Sequence, residues 1–269
     1  MNLPLEKYFA EKRGRKFLSL FITAGYPGLT ATVPIAQLLA NSGADLIELG
    51  IPFSDPLADG PTIQRASTVA LQNGVTLATV LEMAKEISSK TTVPIILMGY
   101  YNPILQFGVE RFISAAHGAG VQGMIIPDLP IEESKTIREH ALAAGMSLIY
   151  LVAPNTPAPR LGLIDSLTTS FVYATSVTGV TGARQNVAAA ASDFLTKLRR
   201  HIRHPMLVGF GVSTPEDARR LCRQSDGVIV GSALVSLINE NFGKPDGEKE
   251  IMRYVRELKN GVQEERNGH

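Results

Sequence analysis

Hydrophobic and polar positions along the chain alternate between two periods, and the alternation repeats eight times. Short apolar runs of strand length are each followed by a stretch whose apolar residues recur every three or four positions, the spacing of one helix face. The runs predicted as strands are Phe17–Thr23, Asp45–Leu49, Pro94–Met98, Gly123–Pro127, Ser147–Val152, Phe171–Thr175, Met206–Val208 and Gly227–Val230. Helices are predicted over Thr30–Asn41, Thr62–Leu71, Thr76–Ser88, Val109–His117, Ile131–Gly145, Arg160–Leu167 and Val187–His201, in the segment ending at Gln224, and over Glu248–Lys259. A leading helix, Leu3–Arg13, places Leu5, Tyr8 and Phe9 on one face.

Eight strand–helix units with short connections fit a closed barrel better than an open doubly wound sheet. The fold class is therefore α/β: a single-domain (β/α)8 TIM barrel over residues 1–269, with a leading N-terminal helix and extra short helices. The polar stretch Asn241–Glu248 stands before the last helix and marks no domain boundary, and the tail after Gly261 is expected to fray.

Composition narrows the function classes. Lys and Arg number 26 against 25 Asp and Glu, a net charge of +1, which gives no electrostatic footprint for nucleic acid or an anionic membrane. With no Trp and 6% aromatic residues there is little to stack single-stranded bases on. No apolar stretch has the length of a membrane span, and the N-terminus lacks the apolar core of a signal peptide. The one cysteine, Cys222, fits a reducing compartment, so a cytoplasmic protein is expected.

The chemistry centres on Asp45–Pro61. Glu48 interrupts an apolar strand, and a strand covered on both faces tolerates a carboxylate only for a compensating reason. Strand alternation sets Leu46 and Glu48 on one face and Ile47 and Leu49 on the other. If the second pair meets the outer helices, Glu48 points into the barrel, where burial raises its proton affinity and suits it to acid–base work. A pairing with a Tyr or Arg that serves only the fold is the alternative. Asp59, eleven residues on, is a turn residue or a second carboxylate on the same rim. Asp55 shapes the loop or meets a partner, and Asp128 is read as structural.

Barrel enzymes build their sites from the loops after the strands. Three glycine-rich loops follow the last three strands, at Gly179–Arg184, Gly209–Gly211 and Gly231–Ser232. Each alone could be a turn; together, with Ser232 opening a helix, they suit a phosphate. No lysine stands at a strand end for Schiff-base chemistry, and the five histidines form no ligand cluster there, so no metal is expected. The basic run Arg199–His204 reads as a solvated helix end.

The run L-I-E-L-G-I-P-F-S-D-P-L-A-D-G-P-T-I-Q, followed in order by Y-A-T-S-V-T-G-V-T-G-A-R, G-F-G-V-S and V-G-S-A-L-V, closely resembles the tryptophan synthase alpha-chain family from about Leu5 to Leu258. The resemblance implies a lyase that cleaves indole-3-glycerol phosphate to indole and glyceraldehyde 3-phosphate. It implies Glu48 as general acid–base and Asp59 as second catalytic carboxylate. Phe21, Ile63, Tyr100 and Ile125 match positions lining an indole pocket, and Tyr173 matches a tyrosine approaching Glu48. Gly182, Phe210, Gly211, Gly231 and Ser232 fall at the substrate's phosphate end, and Thr181 matches a loop residue that locks Asp59. Pro52, Asp55, Asn102 and Gly179 match contacts to a beta-chain partner in an alpha2-beta2 heterotetramer. Pyridoxal phosphate would sit on that partner, leaving this chain without a cofactor. A lyase working alone, another phosphate-binding barrel enzyme, or a weakly catalytic activator of the beta chain are the rival expectations. Tyr26, where many relatives carry Asp, and Gly99 depart from the family pattern.

Overall fold

The computed structural model describes residues 3–175 and 184–263. Its strands are β1 (Phe17–Thr23), β2 (Leu46–Gly50), β3 (Ile95–Met98), β4 (Val121–Ile125), β5 (Ser147–Ile149), β6 (Leu151–Val152), β7 (Val172–Ala174), β8 (Met206–Val208) and β9 (Gly227–Val230). All pairs are parallel, in the order β5-β4-β3-β2-β1-β9-β8-β7-β6. The predicted fifth strand is divided at Tyr150: β5 pairs with β4, and β6 pairs with β7. The Tyr150 carbonyl accepts the Tyr173 N–H at 3.0 Å, so the two halves form one stave and the ring closes into the expected eight-stave barrel.

The pleat sorts side chains into two cores. Leu18, Leu20, Ile22, Ile47, Leu49, Ile95, Leu97, Val172, Val208, Val228 and Val230 face outward onto the helices. Phe17, Leu46, Ile96, Ile125, Ile149, Phe171, Leu207 and Ile229 fill the lumen. The leading helix α1 (Pro4–Glu11) closes the base, because Leu5 and Phe9 enter that lumen cluster; the Phe9 ring lies 4.4 Å from Phe17 and 5.3 Å from Phe171. Filling by side chains leaves the free space at the opposite, carboxyl end of the strands.

The outer helices are α2 (Thr32–Ser42), α3 (Pro61–Gln72), α4 (Leu77–Lys90), α5 (Tyr101–Phe107), α6 (Val109–Gly118), α7 (Lys135–Ala143), α8 (Ala158–Leu167), α9 (Arg184–Arg199), α10 (Pro215–Cys222), α11 (Ser232–Asn241) and α12 (Gly247–Gln263). Two readings of the sequence are corrected here. No helix is predicted between Ser88 and Val109, yet α5 begins within G-Y-Y-N-P: Pro103 falls in the first turn, where a helix needs no N–H, and Asp128 Oδ1 accepts the Tyr101 N–H at 2.9 Å. Of the tail expected to fray after Gly261, Val262 and Gln263 still belong to α12, Val262 fully buried against the outer core, and the remainder lies outside the described residues. No helix among the described residues is long and apolar enough to cross a membrane.

Candidate active site

Glu48 lies in β2, every residue of which is buried. Ile47 and Leu49 face the helices, which turns Glu48 into the lumen as the alternation required. It is wholly shielded from solvent. Its Oε1 accepts the Ser19 hydroxyl at 2.7 Å, and its Oε2 has no hydrogen-bond partner. Burial pushes the carboxyl up to about 7 from an ordinary 4.5, and the Ser19 bond opposes that rise. Glu48 is therefore poised between acid and base near neutral pH.

Above it the barrel opens into a cavity of about 520 Å³, within the range that encloses small ligands. Phe21, Ile63, Met98, Pro127, Leu151 and Tyr173 supply much of its wall. Glu48 is not on that wall. It sits one inward position below Gly50 and pairs across strands with Phe21. The Phe21 ring folds over Gly50, where an added Cβ would stand 2.5 Å from the ring. The Tyr173 ring lies against Gly209 in the same way, at 2.2 Å from such a Cβ to the hydroxyl. Two glycines thus leave room for two aromatic rings that line the cavity. Burial, and then the negative charges of Glu48 and Asp59, hold the Tyr173 hydroxyl protonated well beyond its usual range.

Asp59 is half-buried on the cavity wall, in the loop that leads into α3. Its Oδ2 accepts the Tyr100 hydroxyl at 3.1 Å, and the same hydroxyl accepts the Ala58 N–H at 2.9 Å. The Phe53 ring stacks on Tyr100 at 5.3 Å. Burial raises the proton affinity of Asp59, and the Tyr100 bond restrains it. Tyr100 itself lines a small adjoining space with Phe21, Asp59 and Ile63.

The same wall includes Gly231 and Ser232, at the N-terminus of α11, with Gly209 and Thr175. The positive end of the helix dipole there favours an anion. Of the other residues singled out from sequence, Ile125 is buried in the lumen cluster, two positions before Pro127, which takes the place on the wall. Phe210 packs on the outer core and stacks on Phe194 at 6.2 Å, and Gly211 is exposed beyond it. Thr181, Gly182 and Gly179 lie outside the described residues. Pro52 is buried, while Asp55 and Asn102 are exposed at the mouth.

Contributors not singled out from sequence include Met98, Pro127, Leu151 and Thr175 on the wall, and also Ser19, Asn155 and Thr156. Ser19 is one of two polar residues, with Thr23, in phase with the inward face of F-L-S-L-F-I-T, a pattern that alone does not single it out. Asn155 and Thr156 line the cavity from the loop after β6, one of two rim loops given no role from sequence.

A parallel barrel with one proton-retaining carboxylate buried in its lumen, and a second on a cavity that a helix N-terminus also lines, has the make-up of an acid–base barrel enzyme for an anionic substrate. The chain belongs to the tryptophan synthase alpha-chain family, whose model matches residues 9–264. It is 46% identical over 256 residues to the tryptophan synthase alpha chain of Geobacter sulfurreducens, covering 94% of this chain and 97% of that one. It is 46% identical over 268 residues to the tryptophan synthase of Saccharomyces cerevisiae, 97% of this chain but 38% of the yeast protein. A solved structure of Mycobacterium tuberculosis tryptophan synthase superposes with a TM-score of 0.88 at 35% identity, covering 98% of this chain and 99% of that one. The chain is accordingly a lyase of tryptophan biosynthesis, cleaving indole-3-glycerol phosphate to indole and glyceraldehyde 3-phosphate.

Proposed function

We propose that Glu48 and Asp59 carry this cleavage, with the substrate's indole ring between them and its phosphate at the N-terminus of α11. The observation that carries the reading is the pair itself: two acids whose burial favours the proton, Glu48 buried within the lumen and Asp59 on the wall of a cavity that Gly231 and Ser232 also line. Protonated Glu48 delivers its proton to ring carbon C3, which makes the ring an electron sink. Asp59, ionised, accepts a hydrogen bond from the ring N–H as positive charge develops there. Glu48, now a carboxylate, takes the proton of the adjacent glycerol hydroxyl. The C–C bond to C3 breaks, its electrons restore the indole, and the hydroxyl carbon becomes the aldehyde. One proton leaves Glu48 and one returns, so the acid is regenerated.

Because Glu48 is wholly buried and off the cavity wall, this reading requires the acid or its neighbours to turn as the substrate seats. Tyr173, kept protonated, is the natural donor to a Glu48 carboxylate in transit. The family resemblance assigns Gly211 and Gly182 to the phosphate and Thr181 to the locking of Asp59, and Phe210, Tyr100 and Ile125 support the walls from behind.

The chain works with a beta-chain partner in an alpha2-beta2 assembly and binds no cofactor itself; the pyridoxal phosphate belongs to the partner. Pro52, Asp55, Asn102 and Gly179 form the contact face. Leu57, 93% exposed, and Leu105, one turn beyond Asn102 and 53% exposed, give that face an apolar component. The yeast relative named tryptophan synthase spends 62% of its length outside the match (100 − 38), which suits a second unit joined to this one. One domain and a cytoplasmic setting complete the proposal.

The test is Glu48→Gln, which keeps shape and loses the titrating proton. Indole release falls by about a thousandfold or more while phosphate still binds; a near-normal rate overturns the assignment. Mixing with a beta subunit speeds the wild-type chain, and unchanged turnover without co-elution counts against the partner.

A further inference from the structure

We infer that Ser19 is a positioning residue for the lyase reaction: its hydroxyl holds Oε1 of Glu48 so that Oε2 is the oxygen that exchanges protons with the substrate. The inference rests on the acid–base role proposed for Glu48.

Both residues are fully buried, and the bond between them spans neighbouring strands on the lumen face, at 2.7 Å. A serine there has little else to do. It stands in the inward row Phe17, Ser19, Phe21 and Thr23, where its neighbours are apolar lumen residues. The register places Ser19 opposite Leu46, which makes Glu48 its diagonal neighbour one pleat higher. The hydroxyl therefore reaches one oxygen of the carboxyl and leaves the other unpartnered.

The asymmetry has a chemical use. When Oε2 carries the proton, Oε1 is the carbonyl-type oxygen and accepts from Ser19. When the proton has gone to ring carbon, Oε1 is half of a carboxylate and accepts more strongly. The bond survives both states, so the acid need not be re-aimed between giving its proton and taking the next. A hydrogen bond to the charged form also favours that form, offsetting burial. The groups facing Glu48 that could do the same by charge are few: the Tyr173 hydroxyl from β7, which stays neutral, and the Asp59 carboxyl from the rim, which works the other way. Ser19 is the donor in place to keep a fully buried acid able to ionise.

The experiment compares Ser19→Ala, Ser19→Thr and Glu48→Gln in the full chain, by carbon NMR titration of the Glu48 carboxyl and by kcat and KM across pH. Ser19→Ala raises the Glu48 midpoint by about one pH unit and moves the limb it governs in the pH–rate profile the same way. It lowers kcat about tenfold with KM changed less than twofold. Ser19→Thr, which restores the hydroxyl, recovers the midpoint and most of the rate. An unmoved midpoint in Ser19→Ala, or a loss confined to KM, overturns the inference. Should Glu48→Gln retain activity, the acid–base reading fails instead, and the NMR midpoints still report whether Ser19 tunes Glu48.

Discussion

The two ends of the barrel use carboxylates in opposite ways. At the base, Asp45 stands just ahead of β2 and accepts the Leu18 N–H of β1 at 2.8 Å while holding the Lys259 ammonium of α12. Asp226 repeats the device ahead of β9: it accepts the Met206 N–H of β8 at 2.8 Å and the Arg199 guanidinium of α9 at 2.7 Å. Asp165 accepts the N–H groups of Arg203 and His204 and the His204 ring. Burial would raise the proton affinity of Asp165, but those donors together hold it below the usual carboxylate range. At the mouth, Glu48 has one donor and an orphaned oxygen, and both Glu48 and Asp59 are raised. Acids with several donors lash strand starts and serve the fold; acids short of donors at strand ends keep a proton to spend.

Substituting at the mouth should cost rate and leave the fold alone. Asp59→Asn keeps a group of the same size but removes the charge that balances the ring N–H. We expect kcat to fall a hundredfold to a thousandfold, roughly 3–4 kcal/mol in the barrier, with an unfolding midpoint close to wild type. A loss below tenfold would make Asp59 a turn residue and erase the contrast.

The mouth also carries a stability penalty that the base lacks. Glu48 titrates at about 7 in the folded chain against an ordinary 4.5, so the folded state binds the extra proton and the penalty is absent below the lower value. It grows as pH rises between the two and is complete above the upper, at roughly 3 kcal/mol. Glu48→Gln removes the titration. Its urea unfolding free energy should gain on wild type by roughly 2–3 kcal/mol between about pH 5 and about pH 8. A difference that stays flat with pH would show that Glu48 is not held neutral.

The same contrast explains what could be read from the chain beforehand. Period-2 runs against period-3.6 runs sufficed for the barrel, because Ile47 and Leu49 can pack only on helices and thereby aim Glu48 inward. The start of α5 was hidden by Pro103, which signals loop unless a distant acceptor such as Asp128 is known to hold the first N–H. The break at Tyr150 depends on which neighbour each half pairs with, a tertiary matter invisible to local pattern. Within the site, single acids were legible because a charge in an apolar run is conspicuous. Ser19 was not, because serine is unremarkable in a strand until its diagonal partner is known. Nor was the absence of Glu48 from the cavity wall, which depends on how the neighbouring strands pack around it.

At the base, substitution should cost stability and spare the rate. Asp45→Ala strands the Leu18 N–H and the largely buried Lys259 ammonium together. A loss of roughly 2 kcal/mol in unfolding free energy is expected, with kcat within twofold of wild type. A matching collapse in kcat would mean that the base reaches the mouth through the strands.

The smallest effect tests whether donor number is what separates the two ends. Tyr100→Phe keeps the stack on Phe53 and removes the hydroxyl that restrains Asp59. Since that bond works against burial, its loss raises the proton affinity of Asp59 further, and a larger share of the acid is neutral at low pH. The proposed role needs Asp59 ionised, so kcat/KM should drop severalfold, and more on the acid side of the profile than on the alkaline side, where the acid ionises in either protein. A pH–rate profile with an upward-shifted acid limb would place Asp59 on the same scale as Asp165, differing in the number of donors. A loss uniform across pH would trace instead to the freed Ala58 N–H, and the loop's shape rather than the acid's charge would be what Tyr100 maintains.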